Sequence, residues 1–213
     1  MYTFEGTPEQ KKKYLSRAID IKMPGIRKRK KWKVISQSLG NRILENDYDN
    51  HISRIQQRID EYGILSLSRK QDDLLMFSYY AKDHTGYCLK YRRVADSILS
   101  LAEPITYETT YPKFSIFDFK IEDMGRLGDK VLLTKAECWK HEDEWRVGLD
   151  AINTRIRRSP HAILEGIILG CNMKPAQREE ILGLNKRRER PVEIFEACKK
   201  KFEFALEIVP FTA

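Results

Sequence analysis

This chain of 213 residues lacks any apolar run near the roughly 20 residues a membrane-spanning helix requires. A membrane is therefore not among the expected partners. Its four cysteines, Cys88, Cys138, Cys171 and Cys198, lie far apart, and none forms a Cys-x-x-Cys pair. That spacing argues against a disulfide framework and points to a reduced, cytoplasmic protein. The opening residues "MYTFEGTPEQKKK" place no apolar stretch after their charges, so they do not read as a secretory signal. P-loop, dinucleotide Gly-rich turn, nucleophile elbow and paired-His metal helix are all missing, which leaves those chemistries without support. Cys138 and His141 have a Cys-x-x-His spacing, and Cys171 is a third candidate ligand. No fourth ligand can be named, so no metal is expected. Repeats, low complexity and long Gly- or Pro-rich linkers are absent too, and one domain over 1–213 is the economical reading.

What the chain does have is an ordinary hydrophobic content of 41% and a formal net charge of +8. Residues 1–61 hold 14 Lys and Arg against 8 Asp and Glu, so most of the excess sits there. The densest run is Arg27, Lys28, Arg29, Lys30, Lys31, Trp32 and Lys33. Such a run suits a phosphate backbone, with Trp32 available to stack on a base. The same run also suits a solvated helix start.

Hydrophobic periodicity predicts helices first. Tyr14, Leu15, Ala18 and Ile19 share a face of a helix ending before Pro24. A second helix is expected over 31–45, and a third carries Tyr48, Ile52, Ile55, Ile59 and Tyr62 up to Gly63. From Gly63 the period becomes that of strands. "GILSLS" alternates, Asp72 or Asp73 opens a short helix "DDLLMFSYYA", and "GYCLKY" is a second strand. Further strands are expected at 105–111, 113–122 and 143–149, with helical turns over 127–134. "GIILG" reads as an interior strand, Pro175 opens a helix to about Lys186, and strands follow at 192–197 and 202–209. The class is α+β: a helical layer or lid over 7–62, then a mostly antiparallel or mixed sheet body over 63–213. Leu65, Leu67, Leu74, Leu75 and Met76 are expected in the core. Ser66, Ser68, Tyr80 and His84 are expected to face a cleft.

The stretch "GILSLSRKQDDLLMFSYYAKDHTGYCLKY" resembles the central signature of an uncharacterised bacterial family, number twenty-nine seventy-one among the domains of unknown function. Later segments match in order: Lys135, then Trp139, Glu142, Glu144, Trp145 and Arg146, then Ile167 to Met173. Phe77 stands where that pattern has Trp, and Tyr79 where it has His. The resemblance covers about residues 62–213. The family's opening strands, which carry a basic residue, have no counterpart before "MYTFEG".

Ser66-Leu67-Ser68 followed by Glu142-Asp143-Glu144 is similar to the arginine–serine–glutamate class of ADP-ribosyltransferases. That likeness implies NAD as cofactor and a toxin or defence role. Ser66 and Ser68 would shape the nicotinamide pocket. Glu144 would stabilise an oxocarbenium-like transition state, and Glu142, on the same strand face, would orient the acceptor. Tyr80 and His84 are the candidate cofactor-orienting groups. The missing early basic residue implies weak or no activity for this chain. The opposing expectations are that Glu142 and Glu144 form a solvated face or pair with Arg146 or Lys135, and that His84 only caps a turn. A non-catalytic nucleic-acid-binding protein using Arg27 to Trp32 is the alternative function.

Overall fold

The structure, a computed structural model, describes residues 2–3, 7–40, 53, 57, 63–111, 114–115, 131–149 and 163–212. Its helices are α1 (Pro8–Lys22), α2 (Lys28–Gly40), α3 (Leu74–Tyr80) and α4 (Pro175–Lys186). Strands β1 to β6 are Tyr2–Thr3, Gly63–Ser68, Tyr87–Tyr91, Glu103–Pro104, Thr106–Glu108 and Phe114–Ser115. Strands β7 to β11 are Thr134–Ala136, Glu144–Leu149, Leu164–Leu169, Glu193–Lys199 and Leu206–Pro210. Short 3-10 helices cover Ile98–Leu101 and Glu137–Glu142. The class is α+β, as expected.

Two compact units divide the chain, each built from several segments. The first comprises Met1–Gly63, Thr106–Glu137 and Gly148–Asn153. It includes the packed helix pair α1–α2. Thr7 caps α1 with a reciprocal box: the Gln10 amide N–H donates to Thr7 Oγ1 at 3.2 Å, and the Thr7 N–H donates to Gln10 Oε1 at 2.8 Å. Pro8 occupies the first turn, where its missing N–H is harmless. The predicted stripe then buries Tyr14, Leu15 and Ile19 against Ile35 of α2. The parallel pairs β1–β6 and β5–β7 belong to the same unit, so the helices share it with short strands. The third predicted helix lies outside the described residues except Ser53 and Gln57, which are helical. The strand expected over 113–122 is described only at Phe114–Ser115, where it is extended.

The second unit comprises Ile64–Ile105, Cys138–Val147 and Thr154–Ala213. Its larger sheet has the order β11-β10-β9-β3. β9 and β10 are parallel, while β11 and β3 run antiparallel to their neighbours, so the sheet is mixed. The parallel pair is joined through α4, the crossover that parallel strands need. Both faces of β9 are covered. On one side Ile168 packs with Phe77 and Ala81 of the α3 region, and with Ala197 and Leu206. On the other, Ile167, Leu169 and Met173 meet Ile181 of α4 and Ile194. This double coverage explains why "GIIL" is apolar at every position. Asn185 pins the end of α4 to the start of β10: its side chain donates to Val192 O at 2.8 Å and accepts from Val192 N at 3.0 Å. A smaller sheet has the order β2-β8-β4.

Three expectations need correction. Leu75, placed in the core by the sequence, is 42% exposed, and Leu65 is 39% exposed. The side chain that anchors α3 is Phe77, 3% exposed, with Ala81 one turn on. The helix starts at Leu74, after the cap Asp73, so its seven residues bury a narrow stripe rather than a broad face. The strand expected over 105–111 is shortened to β5, Thr106–Glu108, which pairs with β7; buried Ile105 separates it from β4, which pairs with β8. The last strand starts at Leu206 rather than Phe202, because Phe202 has a φ of 64° and cannot continue a pleated ladder.

Candidate functional site

The candidate site is built where β2 ends, where α3 ends and where β8 begins. All three segments belong to the second unit. Asp73 sets α3 in place by accepting from the Met76 amide at 3.0 Å, the N-cap bond that short helices need. Two turns of helix then carry Tyr80 to the site. Its ring is largely exposed, yet its hydroxyl donates to Glu142 Oε1 at 2.9 Å. Ser68, the last residue of β2, donates its hydroxyl to the Glu142 carbonyl at 2.6 Å and accepts from the Lys70 amide. Glu142 is therefore held from two other segments, and it is 2% exposed.

Glu142 does not share a strand face with Glu144, contrary to the alternation expected from sequence. It closes the 3-10 helix Glu137–Glu142, and β8 begins only at Glu144. Between them Asp143 takes a left-handed φ of 43°, which breaks the period-two geometry. Its carbonyl accepts from the Arg69 amide at 3.2 Å, so the kink is fastened to the end of β2. Glu144 is buried at 5% exposure, and its carboxylate is gripped in two places by one guanidinium. Arg146 Nε reaches Oε1 at 2.7 Å and Nη2 reaches Oε2 at 3.2 Å. Such forked pairing fixes both side chains in one rotamer. The pairing with Arg146 weighed from sequence is present.

Aromatic rings surround the same segment. Tyr79 meets Trp139 edge to face at 6.0 Å between centroids, and Trp139 lies 6.0 Å from His141. His141 Nδ1 contacts the Cys138 carbonyl at 3.2 Å, a local contact within the 3-10 helix. No cluster of three or more His, Cys, Asp or Glu suited to a metal occurs among the described residues. Ser66 is exposed on β2. Lys135 lines a cavity of about 110 Å³ in the first unit, together with Glu108, Tyr111 and Thr134.

His84 is placed by backbone strain. Lys82, Asp83 and His84 adopt consecutive left-handed conformations, with φ of 48°, 52° and 63°. Such a run of non-glycine residues is costly and needs external support. The support is the turn after β9: Asn172 N donates to His84 O at 3.0 Å, Asn172 Nδ2 to Asp83 O at 3.2 Å, and Gly170 N to Gly86 O at 2.9 Å. The ring of His84 stacks on Phe77 at 6.1 Å and 8°. In the sequence Gly170 reads only as the end of a strand. The signal available was the cluster Thr85-Gly86 facing Gly170-Cys171-Asn172, and no local rule pairs segments so far apart.

Burial lowers the pKa of His84 below its ordinary value of 6.5; Lys199 acts in the same direction and Asp83 opposes. A histidine kept neutral in the fold contributes full stability above that ordinary value. The contribution is lost as pH falls below it towards the lowered pKa of the folded state. The wild-type chain is therefore expected to lose more stability on mild acidification than His84→Asn, asparagine being tolerant of a left-handed backbone. Denaturant midpoints at neutral and mildly acidic pH measure the difference. Equal losses in both proteins would remove His84 from the account.

A scan of family models, a search of curated proteins and a search of solved structures each find no match to this chain.

Proposed function

We propose that this protein is an NAD-using enzyme of ADP-ribosyltransferase type, acting through the Glu142–Glu144 segment. The observation that carries the reading is convergence. Ser68 and Tyr80, from two other segments, both hydrogen-bond to Glu142, and Glu144 follows two residues on. Ordered carboxylates flanked by hydroxyls and aromatic rings suit cleavage of an N-glycosidic bond. In that reaction the bond between nicotinamide and ribose breaks, and its electron pair leaves with nicotinamide. The ribose carbon becomes cationic, and an acceptor hydroxyl or water adds and gives up a proton. A carboxylate held rigidly beside that carbon lowers the barrier. The stabilising role is assigned to Glu142, with Tyr80 fixing its carboxylate. Glu144 positions the Arg146 guanidinium, a group suited to the cofactor's phosphates. Ser66 and Ser68 form the wall for the nicotinamide ring, as the resemblance implies. The test is release of nicotinamide from NAD by the purified chain, with NAD binding followed by calorimetry. A chain that binds no NAD contradicts the reading.

A second reading rests on α2. Its first turn holds no acidic residue, although the positive end of the helix dipole favours one, and four basic side chains stand there instead. Arg29, Lys30 and Lys33 share its outer, exposed face, and Trp32 is 49% exposed. Lys31, counted with them from sequence, is instead taken by Asp20 of α1 at 2.6 Å, because it lies one turn before buried Ile35. A nucleic-acid phosphate backbone would relieve this unbalanced charge. Replacing Arg29, Lys30 and Lys33 by Gln is expected to lower the salt dependence of single-stranded DNA binding by about 0.7 in log–log slope per residue. An unchanged slope retires this reading.

A further inference from the structure

The hairpin between β10 and β11 ends in "KKKFEF", residues 199–204. Lys199 pairs with Leu206, and Lys200 N donates to Ala205 O at 3.0 Å, which closes the turn. Beyond that bond the rings of Phe202 and Phe204 have relative exposures of 105% and 100%, so no described residue covers either. Phe202 also holds a φ of 64°, a conformation that aromatic residues rarely adopt. The fold thus spends backbone strain at the tip and gains no ring packing there. Single exposed apolar residues are ordinary, but two fully exposed phenylalanines on one projecting turn mark an interaction site.

The charges around the rings indicate the partner. Lys199, Lys200 and Lys201 precede Phe202 directly, and all are exposed. The acidic residue between the rings, Glu203, is offset by Lys200, whose Nζ lies 3.4 Å from Glu203 Oε2. The tip therefore presents two rings at its apex and uncompensated cations at its base. A convex projection of this kind does not form the concave groove that single-stranded nucleic acid follows. It fits a soft planar surface that admits rings at headgroup depth and presents negative charge to the lysines.

We infer that the β10–β11 tip docks reversibly on an anionic phospholipid surface, with Phe202 and Phe204 inserted and Lys199 and Lys201 on the headgroups. Peripheral docking of this kind needs no membrane-spanning helix, and none long and apolar enough to span a membrane occurs among the described residues. The docking is independent of the chemistry at Glu142.

Co-sedimentation with vesicles of phosphatidylglycerol and phosphatidylethanolamine, against vesicles of phosphatidylcholine, tests this. The full chain is expected to bind the anionic vesicles and to leave the neutral ones. The double variant Phe202→Ser, Phe204→Ser should lose at least tenfold in partitioning while keeping the wild-type thermal transition, since neither ring is packed. Lys199→Gln and Lys201→Gln should each weaken binding about fivefold. No binding to anionic vesicles, or binding that the double phenylalanine substitution leaves intact, overturns the inference. Loss of single-stranded DNA binding in that double variant, with vesicle binding unchanged, would assign the tip to nucleic acid instead.

Discussion

Gly170→Ala is expected to be strongly damaging to this protein. A Cβ at Gly170 would lie 2.7 Å from the Gly86 carbonyl oxygen and closer still to that of His84. Both neighbours are backbone and cannot swing aside. Gly86 itself is hemmed in, with its own Cβ position 3.0 Å from Ala81 O. Relieving the clash means parting the 82–86 turn from Gly170 and Asn172, and that contact is what supports the left-handed run Lys82, Asp83 and His84. Overpacking, lost hydrogen bonds and released strain then act together, and a loss of about 4 kcal/mol or more follows. Gly183→Ala is the control. It lies inside α4 with nothing within 4 Å of the added atom, so it should stabilise by about 0.5–1 kcal/mol through helix propensity. Urea unfolding of the two variants measures both signs. A Gly170→Ala protein as stable as wild type would show that the turn can be shed at little cost.

Glu142→Gln is expected to reduce nicotinamide release roughly 10²–10³-fold, the usual loss when one preset electrostatic group is removed. The fold should survive, because the glutamine side-chain oxygen still accepts from Tyr80 and the Ser68 bond goes to backbone. Glu144→Gln should behave differently. It replaces the carboxylate that Arg146 Nε and Nη2 grip, on a guanidinium whose side chain is only 18% exposed, by a neutral amide. Removing one member of a buried pair costs about 3–5 kcal/mol. Its activity loss would therefore come with a lower unfolding midpoint, whereas Glu142→Gln loses turnover alone. Equal turnover in wild type and Glu142→Gln would make Glu142 a structural acceptor for Tyr80 and end the enzyme reading at this segment.

Much of the framework is legible in the sequence, because it follows from local chemistry. Thr7-Pro8 opens α1, Asp73 caps α3, and Pro175 opens α4, since each residue satisfies or spares an orphan backbone group within its own turn. The apolar "GIIL" announces a strand covered on both faces, as transfer free energy alone requires. The resemblance singles out Ser66, Ser68, Tyr80, His84, Glu142 and Glu144 as candidates from motif order along the chain.

Their geometry was decided only by tertiary contact. Whether Leu75 or Phe77 is buried depends on which side of a two-turn helix meets β9, and seven residues carry too little periodicity to say. The left-handed residues Asp143 and Lys82 to His84 are paid for by hydrogen bonds from Arg69, Gly170 and Asn172, remote in sequence, so no local preference predicts them. Lys31 looks like a free cation in the sequence, and Arg146 has two carboxylates, Glu142 and Glu144, to choose between. Each becomes one half of an ion pair only when the fold brings its carboxylate within reach, because charge pairing acts through space while the sequence records only order along the chain.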